Sequence, residues 1–474
     1  MRRRINMIEE LNQKIEENSK EMINALAELV KIPSVYGEPK EGAPYGEKSR
    51  RALQFAMDLG KKLGFETVEN VGDKVCYVEY GTGSRVVGVF AHLDIVPEGE
   101  GWTYPPFGGE IHNNRIYGRG VVDNKGPFIA SLYALYAIKE LGLDLGDCRI
   151  RVVGGTNEER GMDDMRYYVE QCGAPDAGFT PDGLYPMSFT ERGINYYFMS
   201  YEFKEPSVSK TKVISLKGGE ILNMVPDRAS AVLETSDEEE ADRVMKAVSH
   251  YRESTGRNVT ATRDGLRIML DSKGLCAHSC TPFNGKNAIV AILMLLAELG
   301  IDGSLGKFLT FFKEKIGMTT DGSLLGMKRE DECGKLTFSL SKMDLNENGL
   351  KWVVNIRLPY TYKDQVTDDF KAQVEPVGIV IDDMDIHRTY RFPMDHPLIL
   401  TLRKVYEELT GKDSTPSYEG GTYAQAVPNI VPFGSIFPGT PDLCHRPDES
   451  VDLDEYVLDA KLFGNAMYAL TKAD

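Results

Sequence analysis

Apolar positions recur at helical spacing over residues 5–31 (Ile8, Leu11, Ile15, Met22, Ile23, Leu26, Leu29), and Ile32-Pro33-Ser34 ends that run. The same spacing predicts a helix over 47–63, through Leu53, Ala56, Met57, Leu59 and Leu63. Residues 66–80 read as a strand pair around Gly72-Asp73, and 85–91 as a strand that delivers His92. A helix from about 127, with Pro127 in its first turn, to 141 comes next, then a strand over 149–154 and a helix over 162–171. Alternating strands and helices predict an α/β sheet, whose ligands bind beyond the carboxyl ends of its strands. The apolar pair Val121-Val122 also reads as a strand end. His92-Leu93-Asp94, Asp123, Glu158-Glu159 and Asp182 then all fall at strand ends, which predicts one shared site.

The pattern changes after residue 185. Strands are expected at 187–202, 211–217 and 228–235, a helix at 237–250, strands at 258–262 and 266–272, and helices within 285–316. Strands at 335–347 and 350–358, a helix at 362–374 and a strand at 377–384 complete this α+β stretch. Paired strands followed by a helix occur twice in it, so an internal structural duplication is expected. Arg391-Phe392-Pro393 marks a return to the first character: a helix at 396–410, the turn Gly420-Gly421-Thr422-Tyr423-Ala424, a strand at 430–436 and a final helix from 453. The expectation is a discontinuous α/β domain (1–185 and 391–474) interrupted by an α+β domain (186–390). A chain of 474 residues has room for both.

A net charge of −17, with no basic stripe interleaved with aromatics, argues against a nucleic-acid partner. The longest apolar run, 288–296, is too short to span a bilayer, and Arg2-Arg3-Arg4 leads into an amphipathic helix rather than a signal-peptide core, so no membrane partner is expected. Seven scattered cysteines without a Cys-x-x-Cys predict a reducing, cytoplasmic location.

Each chemical candidate has a plain alternative. A lone His at a strand end is most often structural, but Asp94, two residues after His92, lies on the same side of a strand and could accept the proton of the second ring nitrogen of a metal-bound imidazole. Gly118-Arg119-Gly120 lacks the third glycine of a dinucleotide loop and leads to a carboxylate, so that reading fails. Asp123 is either a turn cap or a carboxylate that bridges two cations. Glu158 and Glu159 could be surface charge. Because they follow an apolar strand and point different ways, one could ligate metal while the other serves as general base. Asp182 fits a turn, and His445, within Cys444-His445-Arg446-Pro447-Asp448-Glu449, fits a surface histidine. Taken together, His92, Asp123, Glu159, Asp182 and His445 suit a pair of divalent ions such as zinc or manganese. Cys276 and Cys280 flank His278, but their spacing is poor for a metal and no fourth ligand is near. Asn223 and Arg357 read as ordinary polar loop and strand residues.

Several segments, in this order, resemble the dinuclear metallopeptidases of clan MH, metallopeptidase family 20. They are His92-x-Asp94, Gly120-x-x-Asp123-Asn124-Lys125-Gly126, Glu158-Glu159, Pro181-Asp182-Gly183, Asn223-x-Val225-Pro226, His278 with Pro282, Gly285 and Asn287-Ala288, and the late His445. The family includes aminoacylases, carboxypeptidase G, succinyl-diaminopimelate desuccinylase and bacterial dipeptidases, and the resemblance covers nearly the whole chain. The tract Trp102-Thr103-Tyr104-Pro105-Pro106-Phe107 and the long insertion most resemble the peptidase V subgroup, which comprises cytoplasmic dipeptidases of broad specificity. The resemblance implies a zinc-peptidase-like mixed sheet flanked by helices and an α+β lid of two similar halves. It implies that His92, Asp123 and Asp182 hold one metal ion and that Asp123, Glu159 and His445 hold the other. Zinc is the first expectation, with manganese or cobalt as alternatives. It further implies that Asp94 orients His92 and that Glu158 deprotonates the attacking water and passes the proton to the leaving amine. His278 would stabilise the oxyanion, and Arg357 and Asn223 would hold the substrate, Arg357 at its carboxylate. A cis peptide is implied after Asp123. Because shorter relatives dimerise through a smaller lid, a two-half lid implies a monomer with His278 acting in cis. The implied reaction is hydrolysis of a dipeptide amide bond. An N-acyl-amino-acid amidohydrolase is the alternative, and an inactive metal-binding protein a more distant one.

Overall fold

The computed structural model describes residues 2–418 and 421–473. The chain divides into two compact units, Met1–Glu191 with Arg391–Asp474, and Arg192–Tyr390.

The first unit is built on a six-stranded sheet in the order Thr67–Val71, Val75–Gly81, Cys148–Gly155, Arg85–His92, Ala177–Thr180, Ile430–Pro432. The last four run parallel, and the first two are antiparallel at one edge. Both neighbours of Arg85–His92 are paired, which explains its apolar sequence Val86-Val87-Gly88-Val89-Phe90-Ala91: a strand covered on both faces has no polar side. Helices Glu47–Lys62 and Lys125–Glu140 lie on one face, with Gly60 over Val78 and Phe128 over Gly154. The approach at Gly60 is so close that a Cβ there would meet Val78 at 2.7 Å. Helix Asp163–Cys172 covers the opposite face, where Tyr168 meets the rings of Phe90 and Tyr77 edge-on. The long first helix, Arg2–Val30, packs on Lys125–Glu140 and on the last helix, Leu453–Leu470.

The second unit is built on an antiparallel eight-stranded sheet made of two four-stranded halves. One half is Asn258–Asp264, Arg267–Lys273, Arg228–Thr235, Thr211–Gly218; the other is Thr337–Asn346, Gly349–Leu358, Gly193–Glu202, Val380–His387. They join where Leu216, Lys217 and Gly218 pair with Leu345, Asp344 and Met343. In each half a hairpin leads into a helix, Glu238–Thr255 in one and Val366–Val374 in the other. Arg228–Thr235 and Arg267–Lys273 alternate buried with exposed or partly exposed residues, as half-covered strands should. Helices Ala288–Glu298 and Gly303–Lys315 supply the apolar cover, and Trp352 lies fully buried against Phe308 and Phe312.

Several expectations need correction. Residues 187–202 form two strands, Ser188–Glu191 and Gly193–Glu202, rather than one. The strand expected at 430–436 stops at Pro432. The segment before Asp123 is a turn and not a strand end, since Val121 and Val122 pair with no strand. A small sheet of Glu110–His112, Arg115–Tyr117 and Ser450–Asp452 was not foreseen. Of the glycine turn at 420–424, Gly420 lies outside the described residues.

The two tryptophans fall one in each unit, Trp102 and Trp352, so each unit can be followed separately. Phe312→Ala should cost about 3–5 kcal/mol through the cavity it leaves. In a Trp102→Phe background, denaturant unfolding followed by Trp352 fluorescence should shift to lower denaturant. An unchanged midpoint would show that Phe312 is not part of the core.

Candidate active site

Parallel strands bring their carboxyl ends to one edge of the first sheet, and the candidate residues follow those ends directly. His92 is the last residue of Arg85–His92. Glu158 and Glu159 open a short turn three residues after Gly155, and Asp182 follows Thr180 by two residues. Asp123 arrives from the turn that precedes helix Lys125–Glu140, and the peptide bond after it is cis. His445 sits in the loop leading to Ser450–Asp452.

The Asp123 carboxylate lies between the two imidazoles. Its Oδ1 is 2.8 Å from His92 Nε2, and its Oδ2 is 2.9 Å from His445 Nε2. Asp182 Oδ2 stands 3.8 Å from His92 Nε2, and Glu159 Oε1 stands 3.1 Å from His445 Nε2. One group thus forms at the His92 imidazole, with Asp123 and Asp182 beside its Nε2, and another at the His445 imidazole, with Asp123 and Glu159 beside its Nε2. Donors bound tetrahedrally to one zinc ion lie about 3.3 Å apart, given bonds of about 2.0–2.1 Å. The spacing and the mixed nitrogen–oxygen character of both groups fit divalent ions of this kind. The ligand atoms of His92, Asp123 and Glu159, and likewise those of His92, Glu158 and Asp182, lie within 4.8 Å of one another. Glu158 Oε1 is buried and has no hydrogen-bond partner.

Electrostatics follow from crowding acids out of water. Burial raises the Glu158 pKa well above its usual range, and the charge of Asp182 adds to the shift. Asp182 is pushed up to about 7 by burial and by Asp123. Glu159 is also raised, by burial and by Asp123. Burial opposes the charge on Asp123 too, but hydrogen bonds from His445 and His92 outweigh it and hold its pKa well below the carboxylate range. For His92, burial pulls the pKa down, while Asp123 and Asp94 push it further the other way. A cluster in which carboxylates outnumber imidazoles calls for added positive charge, and divalent cations are the economical source.

Asp94 is placed differently from the expectation. His92 Nδ1 is 2.9 Å from the Asp94 main-chain carbonyl and 3.5 Å from Asp94 Oδ1, so the carbonyl is its nearer partner. The Asp94 carboxylate instead accepts the main-chain N–H groups of Glu158 (3.2 Å) and Glu159 (3.1 Å). It fixes the turn that carries both glutamates as well as standing beside the imidazole. Sequence reasoning also missed Asp164. This fully buried residue accepts the N–H groups of Thr156 (2.8 Å) and Asn157 (3.0 Å) and the Tyr423 hydroxyl (2.6 Å). Its signal in the sequence is an ordinary acidic pair at a helix start, indistinguishable from a capping group.

The second unit brings together the three remaining candidates. The loop at Asn223 pairs with the loop at His278: Ser279 N–H donates to the Asn223 carbonyl (2.8 Å), and Val225 N–H to the Ala277 carbonyl (2.8 Å). Arg357 is buried, with Nη2 3.4 Å from Ser279 Oγ and Nε donating to Asn355 Oδ1 at 3.3 Å. His278 Nδ1 accepts the Cys280 main-chain N–H at 3.4 Å and lies 2.7 Å from Cys280 Sγ. An accepting Nδ1 leaves the proton of the neutral ring on Nε2, as a donor.

Comparison with known proteins points the same way. The profile of "Peptidase family M20/M25/M40" matches residues 88–469. "Putative dipeptidase YtjP" of Bacillus subtilis (strain 168) is 33% identical over 459 residues, covering 95% of this chain and 97% of its own. The solved structure of human carnosine dipeptidase 1 shares the fold with a TM-score of 0.58 at 17% identity, over 98% of this chain and 99% of that one. The dipeptidase Dug1p from Saccharomyces cerevisiae also has a TM-score of 0.58, at 14% identity, over 98% and 99%. The family match, which spans most of the chain, and the array of acids and imidazoles at the sheet edge lead to one conclusion: the chain belongs to peptidase family M20/M25/M40 and is a peptide hydrolase.

Proposed function

We propose that the protein hydrolyses the amide bond of dipeptides, using two divalent cations held by His92, Asp123 and Asp182 on one side and by Asp123, Glu159 and His445 on the other. The observation that carries this reading is the Asp123 carboxylate, with one oxygen toward each imidazole. Zinc is the first choice for the ions, with manganese or cobalt as alternatives. A cation pair supplies Lewis acidity toward the scissile carbonyl and acidifies a water at neutral pH.

The chain's own residues do the rest. Glu158 takes a proton from the attacking water and returns it to the leaving amine. Its buried Oε1, which has no hydrogen-bond partner, is an acceptor placed to take that proton. Asp94 keeps Glu158 and Glu159 facing different ways by holding both of their amides. The Nε2–H of His278 is a suitable donor for the oxyanion. Arg357 would pair with the substrate carboxylate, and Asn223 would help to hold the backbone. The dipeptidase names of its relatives favour a dipeptide over the alternative, an N-acyl amino acid. We extend the proposal to a cytoplasmic monomer with His278 acting in cis. The continuous two-half sheet of the second unit supports the monomer, and scattered cysteines without a Cys-x-x-Cys support the reducing compartment.

Glu158→Ala should lower kcat by several orders of magnitude while metal analysis still finds the ions bound; near-normal turnover would remove Glu158 as the base. Chelation should abolish amino-acid release from a dipeptide panel, and added zinc, manganese or cobalt should restore it. Hydrolysis of the N-acetylated forms alone would move the assignment to the amidohydrolase. Mixed His278→Ala and Glu158→Ala chains should stay inactive; recovered activity together with a dimeric elution volume would overturn the monomer.

A further inference from the structure

Glu449 is fully buried, yet it lies outside the set of groups that chemistry alone would select. Its Oε1 accepts three main-chain N–H groups, those of Gly120 (3.0 Å), Val122 (2.9 Å) and Asp123 (3.1 Å). Its Oε2 accepts Arg119 Nη1 at 2.7 Å, and its own carbonyl accepts Gly118 N–H at 2.9 Å. Arg119, also fully buried, donates from Nη1 to the Arg446 carbonyl (3.2 Å) and from Nη2 to the Glu98 carbonyl (3.1 Å), with its guanidinium 5.2 Å from the Trp102 ring centre. A buried ion pair is a poor way to gain stability, because removing both charges from water cancels most of their attraction. What this pair does gain is geometry. It ties the turn at 118–123 to the loop at 445–449, and those two segments carry Asp123 and His445.

The two imidazoles are supported in unlike ways. His92 ends a strand and pairs in register with Gly155 of the neighbouring strand. His445 has no such frame, and its backbone adopts φ 63°, in the left-handed region that non-glycine residues seldom occupy. Asp448 in the same loop has φ 57°. Such a loop keeps its shape only while its surroundings over-determine it.

We infer that Glu449, through Arg119 and the amides of the Asp123 turn, is a positioning residue that sets the affinity of the cation on the His445 side. The inference rests on the two-cation reading above. Glu449→Gln keeps an acceptor for the amides but loses the ion pair. Arg119→Lys keeps the charge but loses the fork that also reaches Arg446 and Glu98. Neither changes a proposed ligand.

The test titrates metal-free protein with zinc or manganese against a chromophoric chelator and counts ions bound. His445→Ala identifies which binding class belongs to the His445 side. Wild-type protein should bind two ions. Glu449→Gln and Arg119→Lys should weaken the His445-side class about 10–100-fold and the other class, which shares Asp123, by clearly less, with melting and circular dichroism reporting intact folds. Two ions bound by both variants with wild-type affinities would overturn the inference and leave the two-cation reading standing. Equal weakening of both classes, or failure of both variants to fold, would overturn it in favour of a purely structural pair. A wild-type protein that binds no divalent ion would overturn both.

Discussion

Everything at the site depends on holding several carboxylates together out of water. Asp94, Asp123, Glu158, Glu159 and Asp182 share a space with two imidazoles, and mutual repulsion would scatter them if their backbones were free. Main-chain amides supply the restraint. Asp94 holds the N–H groups of Glu158 and Glu159, Asp164 those of Thr156 and Asn157, and Glu449 those of Gly120, Val122 and Asp123. Each buried acid satisfies otherwise orphaned amides in an irregular segment, and in return those amides stabilise its charge. The acids that clamp loops are thus separate from the acids free to meet cations.

The sheet supplies the rest of the precision. Parallel strands place their carboxyl ends side by side, a strand spacing of about 4.8 Å apart. Residues just past Arg85–His92, Cys148–Gly155 and Ala177–Thr180 therefore fall within reach of a shared ion without further design. Asp123 and His445 do not benefit from this. They enter on a turn and a loop, and their placement depends on polar contacts, with the small sheet of Glu110–His112, Arg115–Tyr117 and Ser450–Asp452 as local scaffold.

This division also sets what could be read in the sequence. Apolar runs ending in His92 and before Glu158 are strong signals, because a buried parallel strand admits few polar residues and its first polar residue marks its end. The helices and most strands were legible for the same reason. The turn at 118–123 reads as a strand because Val121-Val122 is as apolar as one, whereas Val121 is buried without pairing to any strand. The amide partners of Asp94 were missed because such a clamp leaves no pattern in spacing: Glu158 and Glu159 are far away in sequence. Glu449 and Arg119 were visible only as members of a motif, since nothing in either residue's neighbours distinguishes a buried ion pair from two surface charges.

Inserting residues 192–390 into the middle of the first unit would be expected to penalise a site that needs both parts of that unit. The cost is small, because the ends of the insertion are stitched together: Phe392 N–H donates to the Phe189 carbonyl at 2.9 Å, beside the points where the chain leaves and returns. Loop-closure entropy grows only logarithmically with length, about 0.6 kcal/mol for each doubling. A folded insertion with adjacent ends is cheaper still than a flexible loop of its length. The consequence falls on the span of the contacts rather than on stability. Ile430–Pro432 joins the sheet, and His445 meets Asp123, across the whole of residues 192–390, so these contacts of the site have a very large sequence separation and raise the contact order of the first unit.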